Sequence, residues 1–213
     1  MSEFLEKVRE ARAKTKPRKF VQTWDISFGL KNVDLKKPEN RFSSELSLPE
    51  GRGKGVKTVV IADSLAREAK EKADYVISRA EIPVLAKNKK KLKKIASGHD
   101  YFFGEAPLMP EIGKQFGTIL GPKGKMPKPI PPNVKLGPFL EAFRKMVTVS
   151  LKSSPVIHVI IGSEDMEEEK IARNAQAVYN FVKDRLPKGK NSIKSIHVKL
   201  TMGPPSRINI TQV

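Results

Sequence analysis

The period of the apolar residues changes twice along this 213-residue chain, and that limits the architectures open to it. Trp24, Ile26, Phe28 and Leu30 alternate with Thr23, Asp25, Ser27 and Gly29 inside the segment Phe20 to Leu30. Phe42, Leu46 and Leu48 alternate in the same way with Arg41, Ser43, Glu45 and Ser47. Such alternation predicts half-exposed strands of the antiparallel kind, packed on one face and wet on the other. After the punctuation Pro49-Glu50-Gly51-Arg52-Gly53-Lys54-Gly55, the segment Thr58-Val59-Val60-Ile61-Ala62 is a continuous apolar run that leads into Asp63-Ser64 and a helical stretch to Lys72. A strand buried on both faces followed by a capped helix begins a βαβ unit. The pattern recurs through Tyr75 to Ser78, a helical segment through Leu92 and Ile95, the aromatic strand Tyr101-Phe102-Phe103 and a helix from Pro110 to about Phe116. A small parallel sheet with helices is expected over this middle region.

Past Lys152-Ser153-Ser154-Pro155 the alternation returns in Val156 to Ile161, followed by a long helix from about Asp165 to Arg185 and strands at Ile193 to Met202 and Arg207 to Ile210. A helix over residues 2–14, with Ser2 as its cap and Phe4, Val8 and Ala11 on its packed face, opens the chain. Two antiparallel ends flanking a parallel middle predict an α/β protein of two domains. One is discontinuous, residues 1–56 with 157–213; the other, residues 57–156, is inserted into it.

Charge bears on partners. Lys and Arg number 41 against 23 Asp and Glu, a formal net charge of +18. A chain so basic points to a polyanion, with nucleic acid first and an anionic membrane surface second. Residues 57–156 carry 19 basic and 9 acidic side chains, the flanks 22 and 14, so both parts share the excess. No apolar run reaches the roughly 18 residues of a membrane span. The start, MSEFLEKVREARAK, lacks the apolar core of a secretory signal, so the chain is expected to stay in the cytoplasm. Cys is absent, which removes disulfide frameworks, zinc ribbons and thiol nucleophiles.

Catalytic patterns are weak. His99, His158 and His197 are scattered without acidic partners at ligand spacing, and the acids Glu164 to Glu169 stand where a helix N-terminus favours negative charge. Gly121-Pro122-Lys123-Gly124-Lys125-Met126 has Ile119 where a phosphate loop needs its first Gly and Met126 where it needs Ser or Thr. No catalytic residue, metal or cofactor is expected. The competing class, a nucleotide-dependent enzyme on the middle domain, would need a glycine loop after the first buried strand, but that junction reads Ala62-Asp63-Ser64-Leu65.

Binding patterns are stronger. Lys123 and Lys125 sit in a loop stiffened by Pro122, Pro127 and Pro129, which suits contact with a phosphodiester backbone. Six lysines occur between Lys87 and Lys94, either as a solvated helix face or as a sequence-independent phosphate contact. On the late strand, Ser195, His197, Lys199 and Thr201 share one parity and Ile196, Val198 and Leu200 the other, ending in Thr201-Met202-Gly203-Pro204. Short donors on one sheet face beside a glycine suit RNA sugar and phosphate edges.

The segments Asn191 to Pro204, Gly117 to Pro127 and Glu45 to Pro49, taken in order, resemble the large-subunit ribosomal protein L-one family, and its archaeal branch most. The resemblance implies a first domain made of both chain ends, an α/β sandwich of split βαβ type, and an inserted Rossmann-like domain. It also implies a partner: rRNA of the large-subunit side stalk near the tRNA exit site. Further implied partners are the protein's own mRNA, whose translation it represses, and deacylated tRNA, with the free protein a monomer. Carried over by residue, the RNA surface would use Lys19, Phe20, Thr23, Ser195, Thr201, Met202 and Gly203. Lys199 is added from strand parity, and Lys123 and Lys125 are auxiliary contacts.

Overall fold

The computed structural model describes residues 2–131 and 135–209; the Ser2 side chain and Ile210, expected as a helix cap and a strand end, lie outside the described part. In chain order the elements are α1 (Ser2–Lys14), β1 (Thr23–Leu30), β2 (Phe42–Ser47), β3 (Thr58–Ile61), α2 (Ala66–Lys72), β4 (Tyr75–Ile77), α3 (Glu81–Lys87), α4 (Lys89–Gly98) and β5 (Tyr101–Glu105). There follow α5 (Met109–Leu120), β6 (Lys128–Ile130), α6 (Leu136–Arg144), β7 (Met146–Leu151), β8 (Val156–Ser163), α7 (Glu168–Arg185), β9 (Ile193–Leu200) and β10 (Ser206–Ile208). Contacts divide the chain into residues 1–54 with 144–213, and residues 55–143.

In the first unit, β10, β9, β1 and β8 form an antiparallel sheet in that order. The alternation in β1 buries Trp24, Ile26 and Phe28 against Ile196, Val198 and Leu200 of β9 and Ile157, Val159 and Ile161 of β8. Phe4, Val8 and Ala11 of α1 and Ile171, Ala175, Val178 and Tyr179 of α7 belong to the same core. Each of the large aliphatic and Phe side chains among them contributes about 1.5–3 kcal/mol of burial, and each alanine methyl about 0.8 kcal/mol. The two helices are also tied by charge, because Glu168 in the first turn of α7 meets Arg9 at 3.1 Å and Arg12 at 3.6 Å. Ile193 and Ile196 have opposite parity yet both point inward. A bulge permits this: Leu30 pairs with Ile193 and Gly29 with Ser195, leaving Lys194 as the extra residue.

The expected second strand does not pair with the first. β2 forms an antiparallel ribbon with β7, about a hundred residues on, in register from Phe42 with Leu151 to Ser47 with Met146. Val147, Val149 and Leu151 are buried in the first unit's core, so residues 144–156 belong with the chain ends and not with the middle segment drawn over 57–156. Their alternation with Thr148 and Ser150 is the signal that the sequence reading passed over.

The second unit has a four-stranded parallel sheet ordered β4, β3, β5, β6. Val59 and Ile61 pack with residues of α3, α4 and α5, while Val60 and Ala62 pack with α2 and α6, which is why the run is apolar on both parities. The segment read as one helix through Ile95 is two, broken at Asn88, whose side chain accepts from Lys91 N at 3.1 Å and so caps α4. The expected Asp63-Ser64 cap of α2 is replaced from a distance. Glu105, at the end of β5, accepts from Leu65 N at 2.7 Å and from Ser64 Oγ at 3.0 Å. β6 and α6 were not anticipated from the sequence, since Pro122, Pro127 and Pro129 read as a loop.

Candidate nucleic-acid interface

The segment between α1 and β1 is the most exposed stretch before the first strand: Lys16 to Val21 all face solvent. Within it Phe20 is 53% exposed and Val21 55%; across from them Met202 is 56% exposed. Three large apolar side chains that the core could have taken are thus left in water on two neighbouring segments. What joins those segments is Gln22, itself buried, whose Oε1 accepts from Met202 N at 3.1 Å. Gln22 is held in turn by Glu164, which accepts from Gln22 N at 2.8 Å and donates its own N–H to Gln22 O at 2.9 Å.

β9 ends at Leu200, so Thr201 and Met202 lie in a turn and do not extend the strand's parity as expected. Thr201 Oγ1 accepts from Thr23 N at 3.2 Å and donates to Thr23 O at 3.1 Å, and Thr201 N donates to the same carbonyl at 3.0 Å. Gly203 N closes the turn on Leu200 O at 2.9 Å. A Cβ on Gly203 would collide with Thr15 Oγ1, which donates to Ala11 O at 2.7 Å at the end of α1. Only a glycine lets the turn pack against that helix end. Lys199 Nζ reaches Thr201 O at 3.3 Å.

The expected residues Lys19, Phe20, Thr23, Lys199, Thr201, Met202 and Gly203 therefore gather at one end of β1 and β9. Ser195 does not join them. It lies opposite Gly29 at the other end, six residues from Thr201, about 20 Å along an extended strand. Between the two ends the polar side of the sheet carries a cross-strand row that the sequence reading missed: Arg207, His197, Ser27 and His158 are mutual register partners. The next row places Asp25 beside Lys199 and Ile160. Burial raises the Asp25 carboxyl above its ordinary range, with Lys199 and then His158 pulling it back. Parity along each strand was legible, but the rows needed the register between strands.

In the second unit, Lys125 is turned to local structure: its Nζ donates to Ala96 O at 2.9 Å and His99 O at 2.6 Å, at the C-terminus of α4. There a cation satisfies carbonyls the helix leaves open. Lys123 Nζ donates to Ser97 Oγ at 2.6 Å and stays exposed. Among the described residues no group of three His, Asp or Glu side chains is placed to hold a metal ion, and no helix is long and apolar enough to cross a membrane.

Residues 12–204 match the ribosomal protein L1p/L10e family. The chain is 47% identical over 206 residues to the large ribosomal subunit protein uL1 of Thermococcus kodakarensis, covering 96% of this chain and 95% of that one. It is 45% identical over 208 residues to uL1 of Methanothermobacter thermautotrophicus, covering 97% and 98%. With uL1 of Methanocaldococcus jannaschii it shares 46% over 205 residues, covering 96% and 94%.

Proposed function

The chain belongs to the ribosomal protein L1p/L10e family, and from that premise we propose that it is a structural rRNA-binding protein of the large ribosomal subunit. It holds the side-stalk rRNA near the tRNA exit site and works in the cytoplasm, on the ribosome. The observation that carries this reading is the exposure of Phe20, Val21 and Met202 around a turn whose backbone is fixed by Thr23 and the buried Gln22. Exposed apolar groups on a rigid frame, flanked by Lys16, Arg18 and Lys19, suit a structured RNA: base or sugar faces meet the apolar groups and phosphates meet the cations.

Binding is the whole activity and no bond is made or broken. Phe20 stacks on an unpaired base, at about 1–3 kcal/mol for such a contact. The turn at Met202 and Gly203 offers a backbone that a ribose can approach, and Lys199 and Ser195 extend the contact along the open sheet. Lys123 contributes a subsidiary contact; Lys125 acts by holding Lys123's loop in place. The first unit is sufficient for specific recognition. The same surface takes a similarly shaped element in the protein's own mRNA and represses its translation, and the bound protein meets deacylated tRNA at the exit site. The free protein is a monomer.

Reconstitution tests this reading. Archaeal large subunits stripped of this protein should rebind it at one copy each and only when the stalk rRNA is intact. Equal rebinding to subunits whose stalk has been deleted would contradict it.

A further inference from the structure

In the sequence the lysine run and the glycine-proline loop are separate features, with Ser97 and Lys123 26 residues apart; the fold makes them one surface. On α4, Leu92, Ile95 and Ala96 are buried while Lys89, Lys90, Lys91, Lys93 and Lys94 are all exposed. At 100° per residue, Lys90, Lys94 and Ser97 fall on the face opposite the buried side chains, with Lys93 beside them. Lys123 Nζ is seated on Ser97 Oγ and continues that line, and Lys125 fastens the loop to the same helix end. The result is a ridge of cations about 12 Å long, the rise from Lys89 to Ser97, where Lys123 is seated.

The charges on this ridge work against the helix that carries them. The first turn of α4 holds lysines and no acid, where the helix dipole favours negative charge. Lys89 with Lys93 and Lys90 with Lys94 are like charges one turn apart, which repel. Among the described residues none of the five forms an ion pair. A polyanion laid along the ridge reverses each of these unfavourable terms at once.

We infer that the exposed face of α4, continued by Lys123, is a second RNA-contact surface, which grips a phosphodiester backbone without regard to sequence. It lies in the second unit and uses residues distinct from the turn at Thr201, although it rests on the RNA-binding reading above. Its ligand is a run of RNA phosphates; its lysines carry no base discrimination.

The test uses the full chain and two probes of equal length, a side-stalk rRNA fragment and an unrelated RNA duplex, titrated with salt. The ridge variant Lys90→Glu/Lys94→Glu is set against Arg67→Glu/Lys70→Glu, an equal charge change on exposed positions of α2. The ridge variant should bind the unrelated duplex at least tenfold more weakly, with the log–log salt slope shallower by about 1.5–2. The control should lose less than threefold. Without RNA the ridge variant should melt at or above the wild-type temperature, because Lys90→Glu puts an acid in the first turn of α4 and three residues before Lys93, and Lys94→Glu puts one three residues after Lys91. Lys90→Gln/Lys94→Gln should repeat the weakening at smaller amplitude, so a folding defect cannot stand in for it. Equal losses in ridge and control variants would overturn the inference, leaving net charge as the whole cause. So would unchanged RNA binding by the ridge variant together with ridge-dependent sedimentation of the wild type on phosphatidylserine vesicles. A wild type with no stalk preference but an intact ridge effect would count against the rRNA reading and not against the ridge.

Discussion

Thr201 and Thr23 are joined by three hydrogen bonds: the hydroxyl of Thr201 both accepts from and donates to the Thr23 backbone, at 3.2 and 3.1 Å, and Thr201 N donates to Thr23 O at 3.0 Å. The hydroxyl sets the spacing between the end of β9 and the start of β1, and with it the relative positions of Phe20 and Met202. On the proposed RNA-binding reading, Thr201 is a positioning residue for those two apolar side chains.

Replacing Thr201 by Val keeps the shape and removes both side-chain bonds. The expected cost is about 1 kcal/mol of stability, typical for an exposed hydrogen-bonded hydroxyl, with a loss of stalk-RNA affinity of tenfold or more. Thr201→Ser should restore most of both. Chemical denaturation and filter binding on the three proteins check this.

Gly203→Ala places a methyl against Thr15 Oγ1 and lifts the turn from the end of α1. RNA affinity should fall in the single variant and recover in Gly203→Ala/Thr15→Ala, because the collision is with that side chain. A double-mutant cycle reads the coupling, which for groups in contact is about 0.5–3 kcal/mol.

Asn174 is fully buried on α7, yet every polar atom of its amide has work. Its Nδ2 donates to Gly51 O and Ile161 O, both at 2.8 Å, and its Oδ1 accepts from Glu50 N at 3.1 Å. Asn174→Leu strands all three backbone groups and should cost about 2–4 kcal/mol. Hydrogen exchange at Glu50 should quicken.

Asp25 gives a pH signature. Its carboxyl is held above the usual value of 3.8 by burial, so between that value and its folded pKa the native state binds more protons than the unfolded chain. Its contribution is favourable below pH 3.8 and is lost as pH rises through the folded value. Asp25→Asn should therefore be the more stable protein at pH 7 and should lack that fall. Melting temperature against pH for the two proteins reads it directly.

The alternation around Trp24 and Ile196 was enough to place β1 and β9, because one face of each had to be buried. The continuous apolar run at Val59 to Ala62 likewise announced a strand covered on both sides. The pairing of β2 with β7 was not legible, since alternation says which face is buried and nothing about which distant strand lies alongside. For the same reason the row of Arg207, His197, Ser27 and His158 emerged only with the register. Glu105 as the cap of α2 was hidden because it is supplied 40 residues from the helix it serves. At the site, the motif around Thr201 was visible, whereas the pairing of Gln22 with Glu164 that holds it in place was not, because it joins residues 142 apart and Glu164 reads in the sequence only as one of the acids near a helix N-terminus.

If the Phe20 and Met202 platform recognises a particular RNA, beyond the attraction of a +18 chain for any polyanion, removing it should erase a preference that charge alone does not supply. A salt-titrated filter-binding comparison of a side-stalk rRNA fragment with an unrelated structured RNA of equal length, using wild type and Phe20→Ala/Met202→Ala, tests it most directly. Both residues are more than half exposed, so the variant should melt like the wild type. The wild type should show a large stalk preference that survives high salt, and the variant should lose it. Equal affinities for the two RNAs with the same steep salt slope, or a preference untouched by the double substitution, would contradict it.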